Sequence, residues 1–350
     1  MKRNFALCAG AIGAALLSAC GGGSDRAPAP AAPAASVVIN SSNQDLVARA
    51  AANAVLSSGT AASVTPSSNS SQVQAASTRR MSIAGARSLS TALLGLSRDT
   101  LIGQVASKAT AAGTSGAVRA QAVLSRTENC AFSGTATFAL DDRDGNNQVS
   151  SGDALSVTFS QCRTSMTEMI DGSVAATYRV VQQTPAVSVM ASVAFSQLTA
   201  TSSEGSFAIN GSFDFTLTRQ GSGDTAQLSI GGNGLAATVA TPNYTDTVTL
   251  LAGYNVMATH DSSAGLSTLA VNGAISAASL GGTIVLSTPL AIKQYDVDPY
   301  PREGQVQVRG ANNGLLVLTV LSTTTVRVQL DANNDGAFEA TKDVPWGDLI

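Results

Sequence analysis

Two stretches of this 350-residue chain set oxygen-bearing side chains at alternate positions. The first reads Asp142-Arg143-Asp144-Gly145-Asn146-Asn147-Gln148-Val149-Ser150-Ser151-Gly152-Asp153, and the second Asp331-Ala332-Asn333-Asn334-Asp335-Gly336-Ala337-Phe338-Glu339. A tight loop turns alternate side chains inward, and a Ca2+ ion takes about six to eight oxygens at about 2.3–2.6 Å. Such spacing points to cation binding. A metal-free origin gives the same letters, because Asp, Asn and Gly are the residues polar β-turns use anyway.

Both stretches resemble the calcium loop of EF-hand and dockerin modules. In the first, the resemblance implies side-chain ligands at Asp142, Asp144 and Asn146, a backbone carbonyl at Gln148 and a closing carboxylate at Asp153. In the second, Asp331, Asn333 and Asp335 match and Gly336 takes the sixth place. The twelfth place there is Lys342, a cation that cannot ligate, so Glu339 or Asp343 must substitute. Asn147 replaces the usual glycine of the first loop, and Asp153 is shorter than the usual glutamate. Strand-like runs rather than helices flank both, so the resemblance implies a loop and not an EF-hand fold. Ca2+ is the candidate cofactor, with the role of stiffening a turn.

Cys130 and Cys162 are the two cysteines outside the N-terminal 20 residues. An even pair in an exported chain reads as a disulfide, and no nearby His or third Cys supports a metal site. Strand-like residues 131–140 and 154–161 flank a polar stretch centred near Asn146. Cys130 and Cys162 are equidistant from that centre and would face each other at the open end of an antiparallel hairpin. Symmetric pairing sets Phe132, Ala136 and Phe138 with Ser160, Ser156 and Ala154, and sends Leu155, Val157 and Phe159 to the other face. Either both faces are partly buried, or a bulge shifts the register by one residue.

Much chemistry is excluded by composition. His260 is the single histidine, so neither a two-His zinc site nor an HExxH helix can form. A hydrolytic triad could use only His260, and no G-x-S-x-G elbow is present. Gly232-Asn233-Gly234-Leu235-Ala236-Ala237 matches a dinucleotide glycine pattern, but it lies between strand-like runs with no helix following. No Walker loop occurs, and nothing in sequence pairs Glu128, Glu168, Glu204, Glu303 or Glu339 as a glycosidase would need. No catalytic residues are expected, and no enzyme.

The N-terminus carries an address. Met1-Lys2-Arg3-Asn4 is positive, and Phe5 to Leu17 is apolar, with the length of a signal-peptide core rather than of a membrane span. Leu17-Ser18-Ala19-Cys20 follows, which resembles the lipobox of bacterial lipoproteins. The resemblance implies cleavage before Cys20 and acylation of Cys20. Two or three acyl chains, at about 0.8 kcal/mol per buried CH₂, hold a protein stably where one does not. Gly21-Gly22-Gly23-Ser24 and the Ala/Pro run 27–33 then read as a tether. By resemblance to enteric sorting, Gly21 after the cysteine implies the outer membrane. Loss of residues 1–19 leaves 18 basic and 23 acidic residues, a net charge of −5. With no basic patch, nucleic acid is not an expected partner.

The remaining spacing describes the elements that would position these groups. Residues 43–60 have helical periodicity, with Asn43 as a cap, Asp45 in the first turn, and Leu46, Val47, Ala50 and Ala54 on one side. Residues 61–78 have the composition of disorder. Residues 79–112 are helically spaced again through Leu89, Leu93, Leu96, Ile102 and Val105. From about residue 129 the period becomes two. Phe207, Ile209, Phe213, Phe215 and Leu217 share a face; so do Val174, Ala176, Tyr178 and Val180, and Val326, Val328 and Leu330. Turns are expected at 221–224, 231–234, 261–263, 281–282 and 312–314.

The expected fold is all-β, an antiparallel meander, sandwich or partly closed barrel over 129–350. Ahead of it come a signal (1–19), a lipidated tether (20–42) and a partly helical, partly disordered segment (43–128). A membrane barrel is disfavoured because aromatics are only 4% of the chain and such barrels carry aromatic girdles. The arrangement resembles a group of proteobacterial lipoproteins that join a lipobox, a Cys-flanked Asp-tipped hairpin and a C-terminal Asp-Gly loop, here with Trp346-Gly347-Asp348-Leu349. The functional expectation is a non-enzymatic, lipid-anchored envelope protein with a structural or adhesive role. Its partners are the membrane, through the lipid, and a protein, glycan or apolar ligand. A periplasmic carrier of lipid, lined by Phe207, Phe213, Phe215, Tyr178 and Leu217, is the alternative. A hydrolase would need His260 beside a serine and a carboxylate in a cleft.

Overall fold

A computed structural model describes residues 35–62, 122–145, 150–182, 187–203, 205–241 and 244–349. Contacts divide the chain into Met1–Pro33 and Ala34–Ile350, and the account that follows concerns the second unit. The expected signal over 1–19, Cys20, the helical spacing over 79–112, Asn146 and Gln148 lie outside the described residues.

Helix α1 (Gln44–Ala62) precedes β1 (Ala122–Asn129), β2 (Ser133–Asp142), β3 (Ala154–Arg163), β4 (Met169–Gln182) and β5 (Val187–Ser202). Then come β6 (Gly205–Gln220), β7 (Gly223–Thr241), β8 (Tyr244–Leu250), β9 (Asn255–Asp261) and β10 (Leu266–Ala277). A 3₁₀ turn (Ala278–Leu280) leads to β11 (Gly282–Tyr295), β12 (Glu303–Arg309), β13 (Leu315–Val320), β14 (Thr325–Asp331), β15 (Ala340–Pro345) and a short helix α2 (Trp346–Leu349). The strands form one antiparallel sheet of fifteen, so the meander is the architecture adopted. Each strand pairs with its sequence neighbours, except that β8 and β9 run end to end in one slot between β7 and β10. No helix among the described residues is long and apolar enough to cross a membrane.

The period-two pattern builds the core by aligning apolar residues across strands. One row runs Phe138–Val157–Val174–Phe195–Gly211–Leu235–Leu250–Ile275–Ile284 from β2 to β11. Another runs Leu286–Val308–Leu316–Leu330–Ala340 from β11 to β15. Most of these side chains are buried. The face also receives α1, whose Val47, Ala48, Ala51, Ala52 and Val55 are buried within the same core cluster. Small side chains let the helix axis lie close to the sheet while good helix formers hold its shape.

The helix starts where expected, with Asn43 O accepting from Val47 N–H at 3.0 Å. The Asn43 side chain works backward instead: Oδ1 accepts from Asn40 N–H, and Nδ2 donates to Val38 O. Residues 35–42 are not tether. Val37 and Ile39 are buried, Ser36 bridges Thr283, and Val38 bridges Ala311. The sheet also begins earlier than residue 129, at Ala122.

Bulges bend the long strands along one line. Gln161 of β3 has φ 46° and faces Gly134 of β2, where a Cβ would lie 2.0 Å from Gln161 O. The same device recurs with Gln197 opposite Gly172 and with Gly234 opposite Gly211. At these three places the bulged backbone comes so close that a Cβ on the opposing residue would clash, and the bent strand gains twist. Two expectations are corrected by this. Residues 231–234 are not a turn between strands but lie inside β7, where its pairing passes from β9 to β8. Val180 does not share the face of Tyr178, because the register shifts between them: Tyr178 pairs with Ala191 and Val180 with Met190. The turns at 221–222 and 312–313 stand as expected, the latter with Asn312 and Asn313 at φ 56° and 62°, the signature of a type I′ hairpin.

Candidate functional site

The Cys130–Cys162 disulfide forms, with Cα atoms 5.4 Å apart across the open end of the β2–β3 hairpin. The register matches neither expected alternative: a bulge is present, but the pairing is displaced from the symmetric one by three residues rather than one, so that Phe138 faces Val157 and not Ala154. Ala136 pairs with Phe159, Phe138 with Val157 and Leu140 with Leu155, and the shift falls between Ser133 and Thr135. This brings the apolar residues of both strands onto one face and leaves Cys162 buried. The other end of the hairpin carries the first acidic loop.

In that loop Asp142 and Asp153 are almost fully buried while Asp144 is exposed. One carboxylate oxygen from each of the three lies within 4.8 Å of the others. Two oxygens bound to one Ca2+ can be no more than about 5 Å apart, so the group is dense enough for an ion. The loop's own backbone orients the carboxylates. Asp142 Oδ1 accepts from Gly145 N–H at 2.8 Å, Asp153 Oδ1 from Arg143 N–H at 2.9 Å, and Asp153 Oδ2 from Ser150 N–H at 2.7 Å. Ser150 Oγ donates to both Asp144 and Asp153. Ser150 was missed in the sequence reading. Its signal was its ninth place in the loop, where EF-hand loops often reach the ion through water.

The second loop follows β14. Asp331 is buried, and its two oxygens accept from Asp335 N–H at 3.2 Å and Gly336 N–H at 2.9 Å. Asp335 is exposed, and the Ala337 N–H and the Asn333 amide hold its carboxyl below the usual range. Of the two proposed substitutes for the twelfth place, Glu339 joins Asp331 and Asp335 within 4.8 Å, and it also accepts from Ala332 N–H at 2.8 Å. Asp343 does not: it forms a two-point pair with Arg327 that lowers its own carboxyl pKa. Lys342 points elsewhere and pairs with Asp45 of α1. Asn333 stays in the loop as a hydrogen-bonding partner of Asp335.

His260 sits near the end of β9, with Ser267 of β10 opposite it and Asp224 of β7 on its other side. Its Nδ1 is 3.1 Å from Ser267 Oγ and 3.9 Å from Asp296 Oδ1. Both neighbours thus meet the same ring nitrogen. A Ser-His-Asp relay needs the serine on one nitrogen and the carboxylate on the other, so this trio lacks the relay's order. The residues singled out as a lining for an apolar ligand are half-buried. Phe207, Phe213, Phe215 and Leu217 pack against the core cluster, and Phe213 meets Phe195 at a centroid distance of 6.0 Å. Burial raises the Tyr178 phenol pKa.

No protein-family model, no curated protein and no solved structure matches the chain.

Proposed function

We propose that the chain is a lipid-anchored protein of the bacterial cell envelope whose β-sheet is braced by calcium and serves a structural or adhesive binding role rather than a catalytic one. The observation that carries this reading is the pair of three-carboxylate groups, each set at a strand end and each oriented by backbone N–H groups of its own loop. Carboxylates fixed in this way repel one another until a cation neutralises them, so an ion would lock the turn. Calcium is favoured over magnesium because the loops offer several protein oxygens at once, whereas magnesium keeps several waters in a near-ideal octahedron. The lipobox at Leu17–Cys20 supports the anchor, and the partner is a protein, a glycan or an apolar molecule.

Two measurements test the reading. A saturating ion adds about 2.7 kcal/mol of stability at 100 times its Kd, so the melting temperature should rise by several degrees in Ca2+ and not in an equal concentration of Mg2+. An unchanged melting curve would reject the calcium brace. Mass spectrometry of protein extracted from membranes should find acyl chains on Cys20, and an unmodified N-terminus would reject the anchor. A carrier of lipid is the second reading, favoured by the half-buried stripe of Phe207, Phe213, Phe215 and Leu217. Saturable uptake of a fluorescent fatty acid would support it over the structural role.

A further inference from the structure

Strand β1 ends the sheet on one side, and nothing among the described residues pairs with its outer edge. The phase of that edge is fixed by one bond: Cys130 N–H donates to Gly134 O at 3.1 Å. The register with β2 is regular from Ala122↔Asp142 to Asn129↔Thr135. Bonding alternates along an antiparallel pair. Arg126 and Glu128 therefore direct their backbone groups toward β2, while Val123, Ser125, Thr127 and Asn129 direct theirs outward. Ser125, Arg126, Thr127 and Asn129 are exposed, and Glu128 is half-buried.

An open edge is a template for another strand, and proteins usually blunt it with proline, lysine or a bulge. The opposite edge is blunted. Strand β15 ends in Pro345, its Lys342 is engaged by Asp45, and its Asp343 by Arg327. Strand β1 has no proline and no bulge. Its two charges, Arg126 and Glu128, have opposite signs and lie 2.6 Å apart.

We propose that two copies of this chain pair antiparallel through β1 about a two-fold axis at Thr127, setting Arg126 of each copy against Glu128 of the partner subunit. Such an axis can pass through a hydrogen-bonded pair, at Val123, Ser125, Thr127 or Asn129, or through a non-hydrogen-bonded pair, at Leu124, Arg126 or Glu128. An axis at Arg126 or Glu128 sets that charge against its own copy, and an axis at Leu124 leaves both charges without a charged partner. An axis at Ser125 sets Arg126 against Leu124 of the partner subunit, and an axis at Asn129 sets Glu128 against Cys130 of the partner subunit. An axis at Val123 moves both charges beyond the paired strand. Thr127 alone brings opposite charges together, and it does so twice by symmetry. With Thr127 as the hydrogen-bonded pair, Arg126 and Glu128 fall at the flanking non-hydrogen-bonded pairs, where facing side chains come closest. Backbone bonds give the affinity, and the two charge pairs select the register. A single strand pair buries less than the about 1,200 Å² of a stable interface, so the dimer depends on concentration.

Sedimentation of the purified full chain over a concentration series tests this. The wild type should move from monomer toward dimer as concentration rises. Arg126→Glu or Glu128→Arg alone sets like charges opposite at both symmetric positions and should weaken self-association by about tenfold or more. A mixture of the two variants restores opposite charges and should form a heterodimer with nearly wild-type affinity, which a misfolded variant could not do. A wild type that stays monomeric throughout, single variants that associate as the wild type does, or a mixture no stronger than its components would each overturn the proposal.

Discussion

Ser58, near the end of α1, and Tyr254, at the break between β8 and β9, share a buried hydrogen bond of 2.9 Å. Ser58 Oγ also donates to Ala54 O at 2.6 Å, so it accepts from the phenol. This is the polar contact that fixes the helix over the point where one strand slot passes from β8 to β9. Replacing Tyr254 by Phe should cost about 1 kcal/mol near neutral pH, read from the urea midpoint.

Alkaline titration gives the same contact a second signature. Burial pushes the Tyr254 phenol up to about 12, whereas an unfolded tyrosine ionises near about 10. A group whose folded pKa is raised keeps its contribution below the unfolded value and loses it as pH climbs to the folded one. Stability should therefore fall between about pH 10 and about 12, and Tyr254→Phe should fall less over that interval. Equal slopes for the two proteins would place the phenol outside the core.

Reduction of the Cys130–Cys162 bridge, which spans 32 residues, should cost about 3–4 kcal/mol in the chain-entropy view. The double variant Cys130→Ala with Cys162→Ala should match the reduced wild type in its denaturant midpoint, and reductant should leave that variant unaffected.

Ala51 has no exposed surface and lies in the core cluster between α1 and the sheet. Ala51→Leu keeps helix propensity but adds volume where there is none, and should destabilise by about 1–3 kcal/mol. A neutral result in thermal unfolding would mean that α1 stands off the sheet.

In the second acidic loop, Glu339 belongs to the carboxylate group and Asp343 to an Arg327 pair on the surface. Glu339→Gln should reduce the calcium-dependent rise in melting temperature, while Asp343→Asn should leave it intact. Calorimetric titration of both variants separates the two assignments, and the reverse order would exchange their roles.

The alternation of Phe207 through Leu217 was legible because β6 contains no bulge of its own, so five turns of period two survive on one face. Val180 and the glycines at 231–234 were misread for the opposite reason. An odd number of inserted residues inverts the pattern beyond it: one at Arg179, opposite Ala191 and Met190, and three in β7, opposite Gly211, and local spacing reveals neither. In the acidic loops, the alternate carboxylates followed from turn chemistry and were plain in the sequence. The choice of Glu339 over Asp343 was not, because it depends on β14 and β15 setting Asp343 directly across from Arg327. Residues 35–39 gave no sign of their role, since their partners, Thr283 and Ala311, lie far along the chain.

That N-terminal strap governs the order in which the molecule can be completed. Nearly every strand docks on the one before it, so the sheet can accrete hairpin by hairpin with short searches. The strap cannot. Val37 N–H needs Thr283 O, at 2.9 Å, and Val37 O accepts from Ala311 N–H, at 2.7 Å. A chain stopped short of residue 283 has no seat for Val37, and one stopped short of 311 holds it by one side only. The first described residues of the polypeptide are thus among the last to latch, and they report that β11 and β12 have arrived.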